Sequence, residues 1–169
     1  NKAYFLSHNN KLEVVWTIIP TIILTALIIF GLKTWDKAMN VEISESTKVI
    51  EVYGKQFNWT ARYSGIDNTL GKANYKLVKG KNTLGVDMLD VNSADDKMAR
   101  EVHLVVNEPV LLKFRSQDVI HSAFLPHFRV QMNCVPGITT QFGFTPNKTT
   151  AQMKESEGED FEYVLLCNK

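Results

Sequence analysis

The chain has 169 residues, with 19 lysines and arginines against 18 aspartates and glutamates. That length holds one soluble domain of ordinary size plus a membrane segment. The charges balance from Lys33 onward, so nothing suggests nucleic acid and charge alone does not predict a strongly charged partner.

Residues 1–13 form a short polar lead, read as the end of a loop from an earlier helix. From Val14 to Leu32 no residue is charged. As a helix this run is about 28 Å long at ~1.5 Å per residue, enough to cross a bilayer core of about 30 Å. It is too long for a cleaved signal peptide, and no small-residue cleavage site follows it. Trp16 and Trp35 sit near its ends as interfacial anchors do, and Pro20 is expected to kink it. The spacing predicts a transmembrane helix over 14–35 and a polar linker over 36–48.

An all-β domain is predicted over 49–169. Val49 to Tyr53 and Phe57 to Tyr63 read as strands separated by Gly54-Lys55-Gln56. Residues 64–99 carry Gly65, Gly71, Gly80 and Gly85 with no sustained period and read as an irregular insertion of turns and loops. Apolar residues then alternate with polar ones at Val102, Leu104 and Val106, and again at Val110, Leu112 and Phe114. The same alternation recurs from Ile138 to Phe144, and at Phe161, Tyr163 and Leu165, running into Cys167. Short strands with one apolar face each argue for a β-sandwich or Greek-key barrel.

Two residues late in the chain carry chemistry. His121 lies in a turn-like DVIHS, and Cys167 ends an apolar strand. Taken singly, the first reads as a hydrogen-bonded turn residue and the second as a small buried hydrophobe. Together, imidazole and thiolate are the borderline and soft ligands that select copper, and a rigid β-barrel holds them with little reorganisation between oxidation states. Two ligands are too few for a stable redox site. The two cysteines, Cys134 and Cys167, fit one disulfide or two thiols equally well.

The chain as a whole resembles cytochrome c oxidase subunit II, most of all a bacterial version. LEVVWTIIPTIILT (Leu12 to Thr25), GKQFNW (Gly54 to Trp59), QDVIHS (Gln117 to Ser122), CVPG (Cys134 to Gly137) and FEYVLLCNK (Phe161 to Lys169) occur in the family's order. The resemblance covers nearly everything except residues 64–99. It implies a cupredoxin-like Greek-key barrel outside the membrane, carrying the binuclear copper centre called Cu-A. By resemblance His121 is its first histidine ligand, Cys167 its first bridging cysteine, and Lys169 supplies the main-chain carbonyl. The family's second cysteine, second histidine and methionine ligands follow shortly after, so the resemblance implies a chain incomplete beyond Lys169. It is likewise incomplete before Asn1, since the family has a two-helix hairpin.

Several positions depart from the family or extend the match. Lys169 stands where a glutamate usually helps to bind magnesium, and an ammonium cannot ligate that ion, so the magnesium site is expected to be lost or altered. Phe57 occupies the place of the electron-accepting tryptophan, while Trp59 matches the next tryptophan of the motif. Asp118 matches an acidic residue near the cytochrome c docking face. Glu13 matches the glutamate at the entrance of a proton-uptake path. Cys134 replaces a common alanine; with His127 and Met132 nearby it admits a second-copper reading, but packing before the Pro136-Gly137 turn is the simpler one. Glu155, Glu157, Glu159 and Asp160 read as a solvated loop.

The resemblance thus implies a subunit of an oxidoreductase in a bacterial inner membrane, its soluble domain in the periplasm. It would accept electrons from cytochrome c, or a cytochrome c domain, and pass them to haem in subunit I. There, haem and a further copper reduce oxygen while protons are pumped. Two other readings are a copper-free structural subunit of a quinol oxidase and a membrane-tethered mononuclear blue-copper carrier. The first loses the ligands that His121 and Cys167 retain, and the second does not account for the membrane-helix match.

Overall fold

A computed structural model of the chain describes residue 3, residues 8–39, residue 44 and residues 46–168. Two compact units divide at residues 38 and 39. The first is one helix, α1, spanning Asn10–Met39 and continuous through Pro20. It starts before the predicted span because Asn9 caps it. The Asn9 side-chain oxygen accepts the Leu12 N–H at 3.1 Å, and its carbonyl accepts the Glu13 N–H. Residues 10–13, read as polar lead, and 36–39, read as linker, are therefore helical. Apolar side chains lie exposed on every side of α1, the pattern of a membrane span rather than of a soluble surface helix.

The second unit is all-β with one short helix. Its strands are β1 (Lys48–Lys55), β2 (Asn58–Tyr63), β3 (Lys97–Ala99), β4 (Val110–Ser116), β5 (His121–Leu125), β6 (Val130–Cys134), β7 (Thr140–Phe144) and β8 (Leu166–Cys167). They form a five-stranded sheet in the order β3-β2-β1-β4-β7 and a three-stranded sheet in the order β6-β5-β8. Within the large sheet β1 and β4 run parallel, and the other pairs are antiparallel. Ile50, Val52, Ala61, Leu112 and Phe114 from the large sheet meet Ala123, Leu125, Val130 and Cys134 from the small one in a common core. The expected architecture, a membrane helix followed by a two-sheet β-domain, is the one observed.

Four local expectations are corrected. His121 does not lie in a turn; it opens β5, which pairs with β6, and the alternation of these two short strands is masked by Pro126 and by the turn between them. Residues 102–106 and 161–165 alternate half-buried with exposed, but among the described residues they belong to no strand, and Val106 lies in a turn. The first segment is held instead by Tyr63, whose hydroxyl accepts the His103 N–H at 2.6 Å and donates to the Glu101 carbonyl at 3.2 Å. Glu155 and Glu157 lie not in a loop but on a short helix, α2 (Thr150–Glu157). It is nucleated by a capping box in which Thr149 and Gln152 bond each other's backbone N–H. Residues 64–99 are mostly turns, yet their end adds β3 to the sheet edge.

The outer face of the large sheet is buried too. Glu51 faces Arg62 directly across the β1–β2 ladder, and the two are 3% and 1% exposed. Arg62 Nε donates to Glu51 Oε2 at 2.8 Å, Arg115 donates to Glu51 Oε1 at 3.1 Å, and Arg62 also reaches Asp96 at 3.3 Å. Leu84 and Val86, from the 64–99 segment, pack against Tyr53 on the same face. Removing one partner from such a buried network leaves an uncompensated charge. Arg62→Leu is therefore expected to lower unfolding free energy by about 3–5 kcal/mol, read from denaturant unfolding of the solubilised chain; a change below ~1 kcal/mol would refute the network's importance.

Candidate metal centre

Strand β5 is the middle strand of the small sheet, and its pairings gather the chemistry. His121 lies opposite Cys134 on β6, and Ala123 lies opposite Met132 on β6 and Cys167 on β8. Directly opposed residues project to the same face of a sheet, so His121, Cys134 and Cys167 share one side. The result is that His121 Nδ1 and Cys167 Sγ lie 3.9 Å apart. The imidazole is buried at 8% exposure, whereas Cys167 is exposed; neither cysteine is in a disulfide.

Asp118 sets the orientation of the ring. Its Oδ1 lies 2.7 Å from His121 Nε2, and its Oδ2 accepts the Gln56 N–H at 2.8 Å. The Gln56 N–H, then the imidazole, hold its carboxyl far below the usual carboxylate range. A carboxylate only accepts, so Nε2 carries the proton that it receives, and Nδ1 is left facing the thiol. For His121 itself burial opposes the charge, but the Asp118 and Cys167 groups outweigh it, and the pKa is raised.

Two neighbours define the space for the ring. Gly54, on β1, approaches so closely that a Cβ there would stand 2.9 Å from His121 Cδ2. Trp59, half-buried on β2, meets the imidazole edge-on at 6.0 Å between centroids. Phe57 stands at the tip of the β1–β2 hairpin and is 101% exposed. Thus Trp59 and Asp118 meet His121, Phe57 projects from the hairpin tip beside Gln56, and Glu13 lies on the first turn of α1, 3.2 Å from His8 Nδ1.

A thiolate and an imidazole nitrogen 3.9 Å apart can bind one ion, since metal–sulfur and metal–nitrogen bonds of ~2.3 and ~2.0 Å span up to ~4.3 Å. Among the described residues no group of three or more His, Cys, Asp or Glu side chains is placed to hold a metal, and Lys169 lies outside them. The described residues therefore supply two donors. The second-copper reading gains nothing. Cys134 is sealed in the core, where burial pushes its thiol up to about 11, and His127 packs edge-on against Phe161 and Tyr163. Sequence reasoning missed Gly54 and Gln56 as neighbours of the site. Gly54 reads as a strand separator, and nothing local links it to a histidine far along the chain.

Comparison with known proteins gives the family. The family model for the periplasmic domain of cytochrome c oxidase subunit II matches residues 48–156, and that for its transmembrane domain matches residues 1–34. The alternative cytochrome c oxidase subunit 2 of Bradyrhizobium diazoefficiens is 31% identical over 88% of this chain and 53% of its own length. Cytochrome c oxidase subunit 2 of Cereibacter sphaeroides is 29% identical over 82% of this chain and 48% of its own. The Drosophila simulans protein of the same name is 28% identical over 85% of this chain and 59% of its own. The chain thus spans about half the length of these relatives. The crystal structure of the periplasmic domain of cytochrome oxidase subunit II of Bradyrhizobium japonicum aligns with a TM-score of 0.41 at 27% identity, covering 63% of this chain and 69% of that one.

The raised pKa of His121 yields a pH test. A group whose folded pKa exceeds its unfolded value of about 6.5 stabilises the fold below that pH, and the contribution is lost as pH rises through the folded value. In the metal-free chain the His121 ring should titrate above the ordinary histidine range by NMR. Asp118→Asn should bring it down towards or below that range, and an unmoved titration would refute the Asp118 contact.

Proposed function

We propose that this chain, which belongs to the cytochrome c oxidase subunit II family, is the electron-accepting subunit of a respiratory terminal oxidase. In this reading electrons pass from cytochrome c to a binuclear copper centre in the β-domain and on to haem in subunit I, where oxygen is reduced and protons are pumped. The observation that carries it is the 3.9 Å approach of Cys167 Sγ to His121 Nδ1, made by residues far apart in sequence. The family match supports a membrane protein with a periplasmic domain, and in this reading the membrane is the bacterial inner one.

His121, Cys167 and the Lys169 carbonyl would hold the copper, and the family's remaining ligands would fall beyond Lys169. Bound there, copper supplies a one-electron store whose charge change is spread over two ions. The chain's own residues prepare the place. Asp118 keeps the proton on Nε2, so that Nδ1 stays available. Gly54 admits the ring, and Trp59 covers its edge away from water. Phe57 offers a flat apolar contact to the electron donor without an indole donor group. Lys169 in place of a glutamate argues for a lost or altered magnesium site, and Glu13 on the first turn of α1 would mark the entrance of a proton path.

Electron paramagnetic resonance of the purified complex holding the full subunit tests this. The expected signal is the hyperfine pattern of one electron shared by two equivalent copper nuclei, lost in His121→Ala. The simpler pattern of a single nucleus would favour a blue-copper carrier. No copper in this subunit would favour a structural quinol-oxidase subunit.

A further inference from the structure

The 64–99 segment carries a charged finger beside the proposed electron-accepting tip. Residues 72–86 fold back on themselves: the Asn74 N–H donates to the Gly85 carbonyl at 2.8 Å, the Asp87 N–H donates to the Lys72 carbonyl at 2.8 Å, and Lys79 bridges Asn82. This stretch contains Lys72, Lys76, Lys79 and Lys81 and no aspartate or glutamate before Asp87, in a chain whose charges balance to within one overall. All four lysines are exposed. Lys72 lies beside the Asp90 carboxylate, which accepts its N–H at 2.9 Å, so the unopposed charge is concentrated towards the tip.

The finger is fastened to the hairpin that bears Phe57. Gln117 Nε2 donates to the Thr83 carbonyl at 2.8 Å, and the Gln117 N–H donates to the Gly54 carbonyl at 3.0 Å. Leu84 and Val86 are buried against Tyr53, the residue before Gly54. Lys81 and Lys79 are two and four residues from Thr83, hence within about 7 and 14 Å of it at ~3.5 Å per residue. That is comparable with a Debye length of ~8–10 Å at moderate salt, so their field reaches Gln117 and the Gly54 end of the hairpin to which Thr83 is tied. Lys55 adds a further exposed cation on the hairpin itself. One acid, Asp118, also lies beside the hairpin, its oxygens bonded by the Gln56 N–H and by the His121 imidazole.

We propose that the lysine finger makes the electron-accepting face basic, and that it docks a donor whose surface around the redox group is acidic. The inference rests on the electron-accepting role proposed above and adds the charge class of its partner. Opposite charges would steer the encounter, which speeds association by ~10–1,000-fold at low ionic strength and fades with salt.

Stopped-flow reduction of the purified oxidase tests it with one probe in two charge forms, a lysine-rich cytochrome c and the same protein succinylated on its lysines. The succinylated form should reduce the enzyme at least ~10-fold faster at low salt, and the advantage should shrink towards physiological ionic strength. Lys79→Glu with Lys81→Glu should abolish that preference, and the milder Lys79→Gln with Lys81→Gln should reduce it. A native basic donor that is the faster one, or a salt dependence unmoved by the glutamate variant, would overturn the inference. A small phenylenediamine reductant should act equally on all variants. If it delivers no electrons to copper in this subunit, the electron-accepting role falls and the finger's role falls with it.

Discussion

Strand β1 is buried on both faces, and the rest of the β-domain follows from that constraint. Its inner side chains, Ile50 and Val52, build the core with β4 and the small sheet. Its outer side chains are Val49, Glu51 and Tyr53, and a strand with a glutamate on its outer side would ordinarily turn that side to water. Here it does not. Arg62 and Arg115 from the two flanking strands neutralise Glu51, and the 64–99 segment closes over them with Leu84 and Val86. A buried carboxylate is tolerable only with such partners, so the charges on three adjacent strands and the cover above them form one device.

The same strand delivers the site. Inner-facing positions alternate along β1, and the last of them is Gly54, opposite Trp59. At that point the strand runs beneath the His121 ring, and only the absence of a side chain lets the imidazole lie there. Immediately beyond, the chain turns, and the Gln56 N–H meets the Asp118 carboxylate. The hairpin tip and His121 are thus joined through one carboxylate. The cover on the outer face is what brings the lysine finger to the tip, because Thr83 and Leu84 are anchored where β1 ends.

How far the sequence discloses this depends on whether the signal is local. The apolar helix, the alternation in β1 and β4, and the pairing of a late histidine with a late cysteine are all readable along the chain. The alternation at 102–106 and 161–165 correctly gives which side chains point inward, yet hydrogen-bonded pairing needs a neighbour that periodicity does not reveal. The capping box at Thr149 and Gln152 that marks α2 is a local signal which the loop reading of Glu155 and Glu157 passes over. By contrast, Glu51 and Arg62 look like the solvent side of two strands, and their burial is decided by a segment that follows them. Gly54 beneath His121 is a contact between residues far apart in the chain, which no local pattern carries.

The arrangement of His121 and Cys167 also says how a metal would be received. The two donors are brought together by the pairing of β5 with β8. The ring is held by a carboxylate on one nitrogen and by a close backbone on one face, so its rotamer freedom is already spent in folding. A site ordered in this way favours a ligand geometry rather than adapting to the metal, which is the condition for small structural change between oxidation states. The exposed Cys167 contrasts with the sealed Cys134, whose thiol burial keeps protonated and unreactive. One thiol is therefore exposed and the other packed, and the division is made by which side of β5 each neighbouring strand occupies.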